Sequence, residues 1–112
     1  YSSYTKIGRL VHLTAYFDFS AVTAGTGSYL MFTGIPFTKG EDNGNPMGTV
    51  YFSGVDLPAG TVDVTFGFNT TGPSSTCLLY CSKDNDTSFV PVPPNAISAS
   101  SAFSISITYF TA

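Results

Sequence analysis

Hydrophobic and polar residues alternate along most of the chain, and no useful length carries a helical period. Over 11–19, Val11, Leu13, Ala15, Phe17 and Phe19 share one parity, while His12, Thr14, Tyr16 and Asp18 share the other. A period of two is that of a strand with one face buried. The strand signal runs back through Gly8 to Tyr4, so 4–19 reads as one long strand bent at Gly8, because glycine tolerates the dihedrals of a bulge or kink. Residues 48–53 alternate again, with Val50 and Phe52 opposed to Thr49 and Tyr51. Residues 61–69 set Val62, Val64, Phe66 and Phe68 against Thr61, Asp63, Thr65 and Gly67. A last strand over 98–110 places Phe103, Ile105, Ile107 and Tyr109 on one face and Ser104, Ser106 and Thr108 on the other. Shorter strands are predicted over 29–33, 77–81 and 89–92.

Turn chemistry separates these runs. Ala24-Gly25-Thr26-Gly27 reads as a turn, 34–38 leaves the sheet because Pro36 cannot join a central ladder, and 39–47 reads as a polar loop. Asp56-Leu57-Pro58-Ala59-Gly60 and Thr70-Thr71-Gly72-Pro73 are further turns. Lys83-Asp84-Asn85-Asp86 is a second charged loop, and Pro93-Pro94-Asn95 ends the short strand before it. About seven or eight strands at short spacing, with no crossover helix, predict an all-β fold: an antiparallel β-sandwich, jelly-roll-like. With 112 residues and no internal repeat or boundary, 1–112 reads as a single domain.

Composition changes the picture at the surface. Charged residues make up only 10% of the chain, against about 25% in an ordinary soluble domain. Ser and Thr, about a quarter of the residues, supply most of the polarity. Such a surface repels copies of itself weakly, which suits self-assembly or work outside a cell; the alternative is the ordinary preference of strands for Thr. The only basic residues are Lys6, Arg9, Lys39 and Lys83 and the net charge is −3, so a phosphate-binding stripe is excluded. No apolar run approaches the ~20 residues of a membrane span. The chain opens at Tyr1 without an initiator Met or a signal-peptide layout, so Tyr1 is expected to be a cut point in a longer parent.

Catalytic chemistry finds little support. His12, the only histidine, lies mid-strand on a polar face, and no Gly-x-Ser-x-Gly elbow presents a nucleophile. The seven acids fall mostly in turns, where Asp caps local backbone. Glu41-Asp42-Asn43-Gly44-Asn45 and Asp84-Asn85-Asp86 are rich in oxygen ligands, but neither matches a calcium loop with its closing Glu. Cys77 and Cys81, four apart on a strand, would lie ~13 Å apart, beyond the ~7 Å a disulfide allows. They are expected to be free, buried thiols, and with one His they are too few for zinc. Asn69-Thr70-Thr71 and Asn85-Asp86-Thr87 fit the N-glycosylation pattern, which a Thr-rich chain meets by chance. No catalytic residue, metal or cofactor is therefore assigned. Tyr51 and Tyr80 point away from the apolar parity of their strands. Aromatic faces flanked by Asn and Asp hold sugars well, so Tyr51, Tyr80, Asp42, Asn43, Asp84 and Asn85 are the candidate ligand residues, unless the tyrosines pack between subunits. Lys6, Arg9, His12 and Tyr16 are the candidate subunit contacts, with a local carboxylate the alternative partner for the two cations.

The phrase Tyr4-Thr5-Lys6-Ile7-Gly8-Arg9 resembles the opening of small all-β domains at the C-terminal ends of tailed-bacteriophage tail fibres and tailspikes. Leu30-Met31-Phe32-Thr33-Gly34-Ile35-Pro36-Phe37-Thr38 resembles the family's strand ending in a Gly-apolar-Pro-Phe phrase. Ile105-Ser106-Ile107-Thr108-Tyr109-Phe110-Thr111 is similar to its terminal strand. The resemblance implies a non-enzymatic homotrimeric domain at the distal end of a fibre or spike, located on the virion and outside the cell. Its partners would be copies of itself and a host cell-surface polysaccharide or lipopolysaccharide, with no nucleic acid and no membrane insertion. Two alternatives stand beside this: a structural trimerisation cap of a glycan-degrading tailspike, and a secreted lectin-like module.

Overall fold

A computed structural model describes all residues except 20, 23–29, 42–44, 69–71 and 85–86. The fold is all-β, with one turn of 3-10 helix over Pro94–Ala96. The strands are β1 (Ser2–Ile7), β2 (Leu10–Asp18), β3 (Met31–Phe32), β4 (Met47–Ser53), β5 (Thr61–Gly67), β6 (Cys77–Lys83), β7 (Val90–Pro91) and β8 (Ala102–Phe110). All pairings are antiparallel and form one continuous sheet in the order β1-β2-β8-β4-β5-β6-β3, with β7 also on β6. The sheet curls into a half-barrel.

β4 makes the curl. Its first residues pair with β5 (Met47↔Gly67, Gly48↔Phe66), and from Thr49 onward it pairs with β8 instead. Gly48 sits where the partner changes, and a Cβ there would overlap the Ser106 carbonyl oxygen and come within 2.8 Å of Ile107 Cβ. The two arms on either side of this corner face each other across the core. Val11 and Leu13 of β2 and Phe103, Ile105, Ile107 and Tyr109 of β8 meet Phe66 of β5 and Cys77, Leu79 and Cys81 of β6. Phe32 joins the arms: its ring lies 5.2 Å from Phe17, 5.4 Å from Phe66 and 5.8 Å from Phe103. Full burial of such side chains contributes about 1.5–3 kcal/mol each.

The predicted parities of β2, β4 and β8 hold, and three expectations need correction. The first concerns 4–19, which is a hairpin, not one bent strand. Gly8 and Arg9 form a two-residue turn and Ile7 pairs with Leu10. Gly8 has φ +59°, the left-handed conformation that tight hairpin turns require. The second concerns Val62, which does not join the core. The β5–β6 register shifts between Thr61 and Asp63, and this bulge turns Val62 outward to 68% exposure. The third concerns Lys39 and Gly40, which are buried between other segments. Lys39 N–H donates to Ser74 at 2.8 Å and Gly40 N–H to Phe110 at 2.9 Å, while Lys39 Nζ donates to the Gly40 carbonyl at 2.9 Å. The predicted turn at 24–27 lies outside the described residues.

β6 carries a composite edge. β7 pairs along Tyr80 and Cys81, and β3 continues along Leu78 and Cys77. The Leu30 N–H donates to the Val92 carbonyl at 2.9 Å and so joins the two pieces end to end. Pro91 fits here because an edge strand needs no donor on its outer side.

Candidate functional site

The register of β1, β2, β8 and β4 fixes the outer face of the first arm as cross-strand rows. One row runs Tyr16, Ser104, Tyr51, since Ser104 of β8 pairs with both tyrosines. Tyr1 extends it: its ammonium donates to the Tyr16 carbonyl at 2.9 Å and the Tyr16 N–H donates back to the Tyr1 carbonyl at 2.7 Å. The next row is Ser3, Thr14, Ser106, Thr49, in which the Ser3 and Thr14 hydroxyls share a hydrogen bond of 3.0 Å. A third is Thr5, His12, Thr108, where His12 Nδ1 and Thr108 Oγ1 lie 2.8 Å apart. The last is Ile7, Leu10, Phe110, all exposed apolar side chains.

Strands are spaced about 4.8 Å apart, so Tyr16 and Tyr51 stand about 10 Å apart with Ser104 between them. Tyr16 is 46% and Tyr51 69% exposed, so both rings are presented to a ligand. Asp18, paired with Ala102 one row beyond the tyrosines, is the only acid on this face among the described residues. The result is a broad hydroxyl-bearing surface with an aromatic row near one end and an apolar row at the other.

On the inner side, a groove of about 590 Å³ opens between β1–β2 and 32–36, lined by Tyr4, Leu13, Phe17, Phe32 and Ile35 among others. The 33–38 segment is strapped across the mouth of the half-barrel. Phe37 takes the edge of Tyr4 at 5.1 Å, the Lys6 ammonium lies 5.5 Å from its ring centre, and the Tyr109 hydroxyl donates to its carbonyl at 3.0 Å. Among the described residues β1 has no strand on its other side, and its residues are exposed.

The candidate ligand residues do not converge. Tyr51 lies on the first arm. Tyr80 lies on the outer face of the second, in a shallow depression of about 170 Å³ with Asn45, Met47 and Phe89. Asp84 is exposed in the turn after β6, its N–H donating to the Gly60 carbonyl at 2.8 Å. Asp42, Asn43 and Asn85 lie outside the described residues. The candidate subunit contacts also divide. His12 and Tyr16 share the outer face. Lys6 has the opposite parity on β1, its ammonium donating to the Gly8 carbonyl at 2.6 Å, and Arg9 Nε donates to the Thr111 carbonyl at 3.0 Å. Among the described residues these two cations bind main-chain oxygen, not a carboxylate. Tyr1, Ser104 and the Ser/Thr rows were missed, although the polar parity of β8 already singled out Ser104.

Among the described residues no three His, Cys, Asp or Glu side chains gather as a metal site. Cys77 and Cys81 are free and buried, and burial pushes the Cys77 thiol up to about 12. The Tyr80 and Tyr109 hydroxyls are also raised, chiefly by desolvation. No family model, curated protein or solved structure matches the chain.

Proposed function

We propose that the chain is a non-enzymatic distal domain of a phage tail fibre or tailspike that binds a host-surface glycan and stabilises a homotrimer, its curled sheet being a variant of the jelly-roll-like sandwich. The observation that carries the reading is the outer face of β1-β2-β8-β4. Its hydroxyl rows can exchange hydrogen bonds with sugar hydroxyls, and its exposed tyrosines can cover sugar C–H faces. Assembly is supported by exposed apolar surface in separate places: Ile7, Leu10 and Phe110 on the first arm, Met31, Met47 and Phe89 on the second. Threefold repetition would let weak single sites act together.

A purely structural cap is the second reading, favoured by the edge of β1 beside the apolar groove, which no strand among the described residues pairs, since an exposed edge invites pairing with another chain. Host-cell adhesion and a glycan array, run beside sedimentation velocity, separate the two. Binding by a trimer supports the receptor module. A stable trimer without binding supports the cap. A stable monomer refutes the assembly part of both.

A further inference from the structure

We infer that the row Tyr1–Tyr16–Ser104–Tyr51 is the binding platform, and that its ligand is an uncharged polysaccharide laid across the strands. This rests on the glycan reading above and adds the site and the class of sugar.

Three observations carry it. Tyr16 and Tyr51 are both exposed and both pair with Ser104, so two aromatic groups stand about 10 Å apart with a hydroxyl midway. Tyr1, 88% exposed, continues the line beyond Tyr16. A chain crossing the strands there would meet aromatic surface at its ends and hydroxyls between, with the Ser3–Thr14–Ser106–Thr49 row alongside.

The second observation is charge. The two rows of the platform contain no acidic or basic side chain; the charges beside them are the Tyr1 ammonium, engaged by the Tyr16 carbonyl at the end of the first row, and the carboxylate of Asp18, one row away. The whole chain is also negative, at −3. Lys6 is turned to the other side of β1, and Arg9 is held at the hairpin turn by the Thr111 carbonyl. A sugar acid or phosphate would find no Lys or Arg side chain among the described residues of this face and a repelling carboxylate beside it, whereas a neutral sugar matches the surface.

The third observation is rigidity. β8 is held on both sides, by β2 and by β4, so Ser104 stands in the middle of the arm and both tyrosines stand on backbone paired to it. Little loop ordering opposes binding, in contrast to a site built on loops.

The test is affinity electrophoresis of the 112-residue chain through gels containing dextran, galactomannan or mixed-linkage β-glucan, with heparin and alginate as anionic probes. The variants are Tyr16→Ala, Tyr51→Ala and the pair, with Tyr80→Ala on the other arm as control; urea unfolding verifies that each is folded. Retardation by at least one neutral polysaccharide is expected. Each single variant should weaken it about tenfold, a loss of ~1.4 kcal/mol, and the pair should abolish it. Tyr80→Ala should bind normally, and added salt should change little. Retardation that survives in the double variant would overturn the platform while leaving glycan binding intact. Retardation by the anionic gels alone would overturn the assignment to neutral sugars. No retardation in any gel would remove the glycan reading itself. Loss of an oligomer in the double variant, without loss of sugar binding, would make the face a contact between copies.

Discussion

Gly48→Ala should be among the most damaging single-methyl changes in the protein. Gly48 is the last β4 residue paired to β5, and its neighbour Thr49 is the first paired to β8. The new Cβ would overlap the Ser106 carbonyl oxygen and stand 2.8 Å from Ile107 Cβ and 3.0 Å from Ile107 Cα. All three atoms belong to the central strand β8 or its inward side chain, so no flexible tip can swing away. Overpacking of this kind costs about 1–3 kcal/mol. Relief requires β4 to move off β8, which weakens the adjoining ladder bonds at about 0.5–1.5 kcal/mol each. A loss of about 3 kcal/mol is a large part of a total stability of about 5–15 kcal/mol. With a urea slope of about 1–3 kcal/mol per molar, the midpoint should fall by about 1–3 M. Gly60→Ala is the control: a Cβ there meets nothing within 4 Å, but φ is +83°, which costs an alanine about 1–2 kcal/mol. A Gly48→Ala midpoint equal to wild type, or lowered less than that of Gly60→Ala, would refute the role of Gly48 at the corner.

Further measurements probe the core and the register. Phe103→Ala removes a ring 5.6 Å from Phe17, 6.1 Å from Phe19 and 5.8 Å from Phe32 and should cost about 3–5 kcal/mol in urea unfolding; a loss below about 1 kcal/mol would contradict the packing. Val62→Ser should stay within about 0.5 kcal/mol of wild type because the bulge turns Val62 to solvent, whereas a marked loss would place it in the core. Tyr109→Phe deletes the hydroxyl that holds the Phe37 carbonyl at 3.0 Å; a loss of about 0.5–1.5 kcal/mol is expected, with faster amide exchange over 33–38. Stability should fall as pH rises from 9.0 toward about 12, because the unfolded chain releases the Cys77 proton while the folded one keeps it. A flat alkaline limb in Cys77 wild type against Cys77→Ala would count against that linkage.

The parities of β2, β4 and β8 were readable from local alternation because each of these strands turns one face to the core and leaves the other more exposed. Val11, Leu13, Phe103, Ile105 and Ile107 all fall in the core as their pattern requires. The hairpin at Gly8 was harder. Reversing the chain there puts Tyr4 and Lys6 on the side of Leu13 and Val11, so the parity changes across the turn and merges into a continuous-looking run. Leu10 was the available sign, an apolar residue on the parity of His12 and Thr14. The bulge beside Val62 leaves no local mark, since it is a property of the β5–β6 pairing. The tyrosine row was hidden for the same reason. Each ring's outward parity could be read in its own strand, but their alignment depends on β8 lying between β2 and β4, a register set between distant parts of the chain.

That position of β8 also bears on how the protein is made. The central strand of the first arm is the last strand in the sequence, and Leu10 finds its partner at Phe110. Until 102–110 has left the ribosome, β2 has only its hairpin partner β1, and an isolated hairpin is marginal in water. Val11, Leu13 and Phe17 therefore wait uncovered on a β-prone segment with little charge to keep copies apart. Pairing across such separations places folding in the slow range of about milliseconds to seconds. The nascent chain should thus depend on chaperones or low temperature until its final strand inserts between β2 and β4.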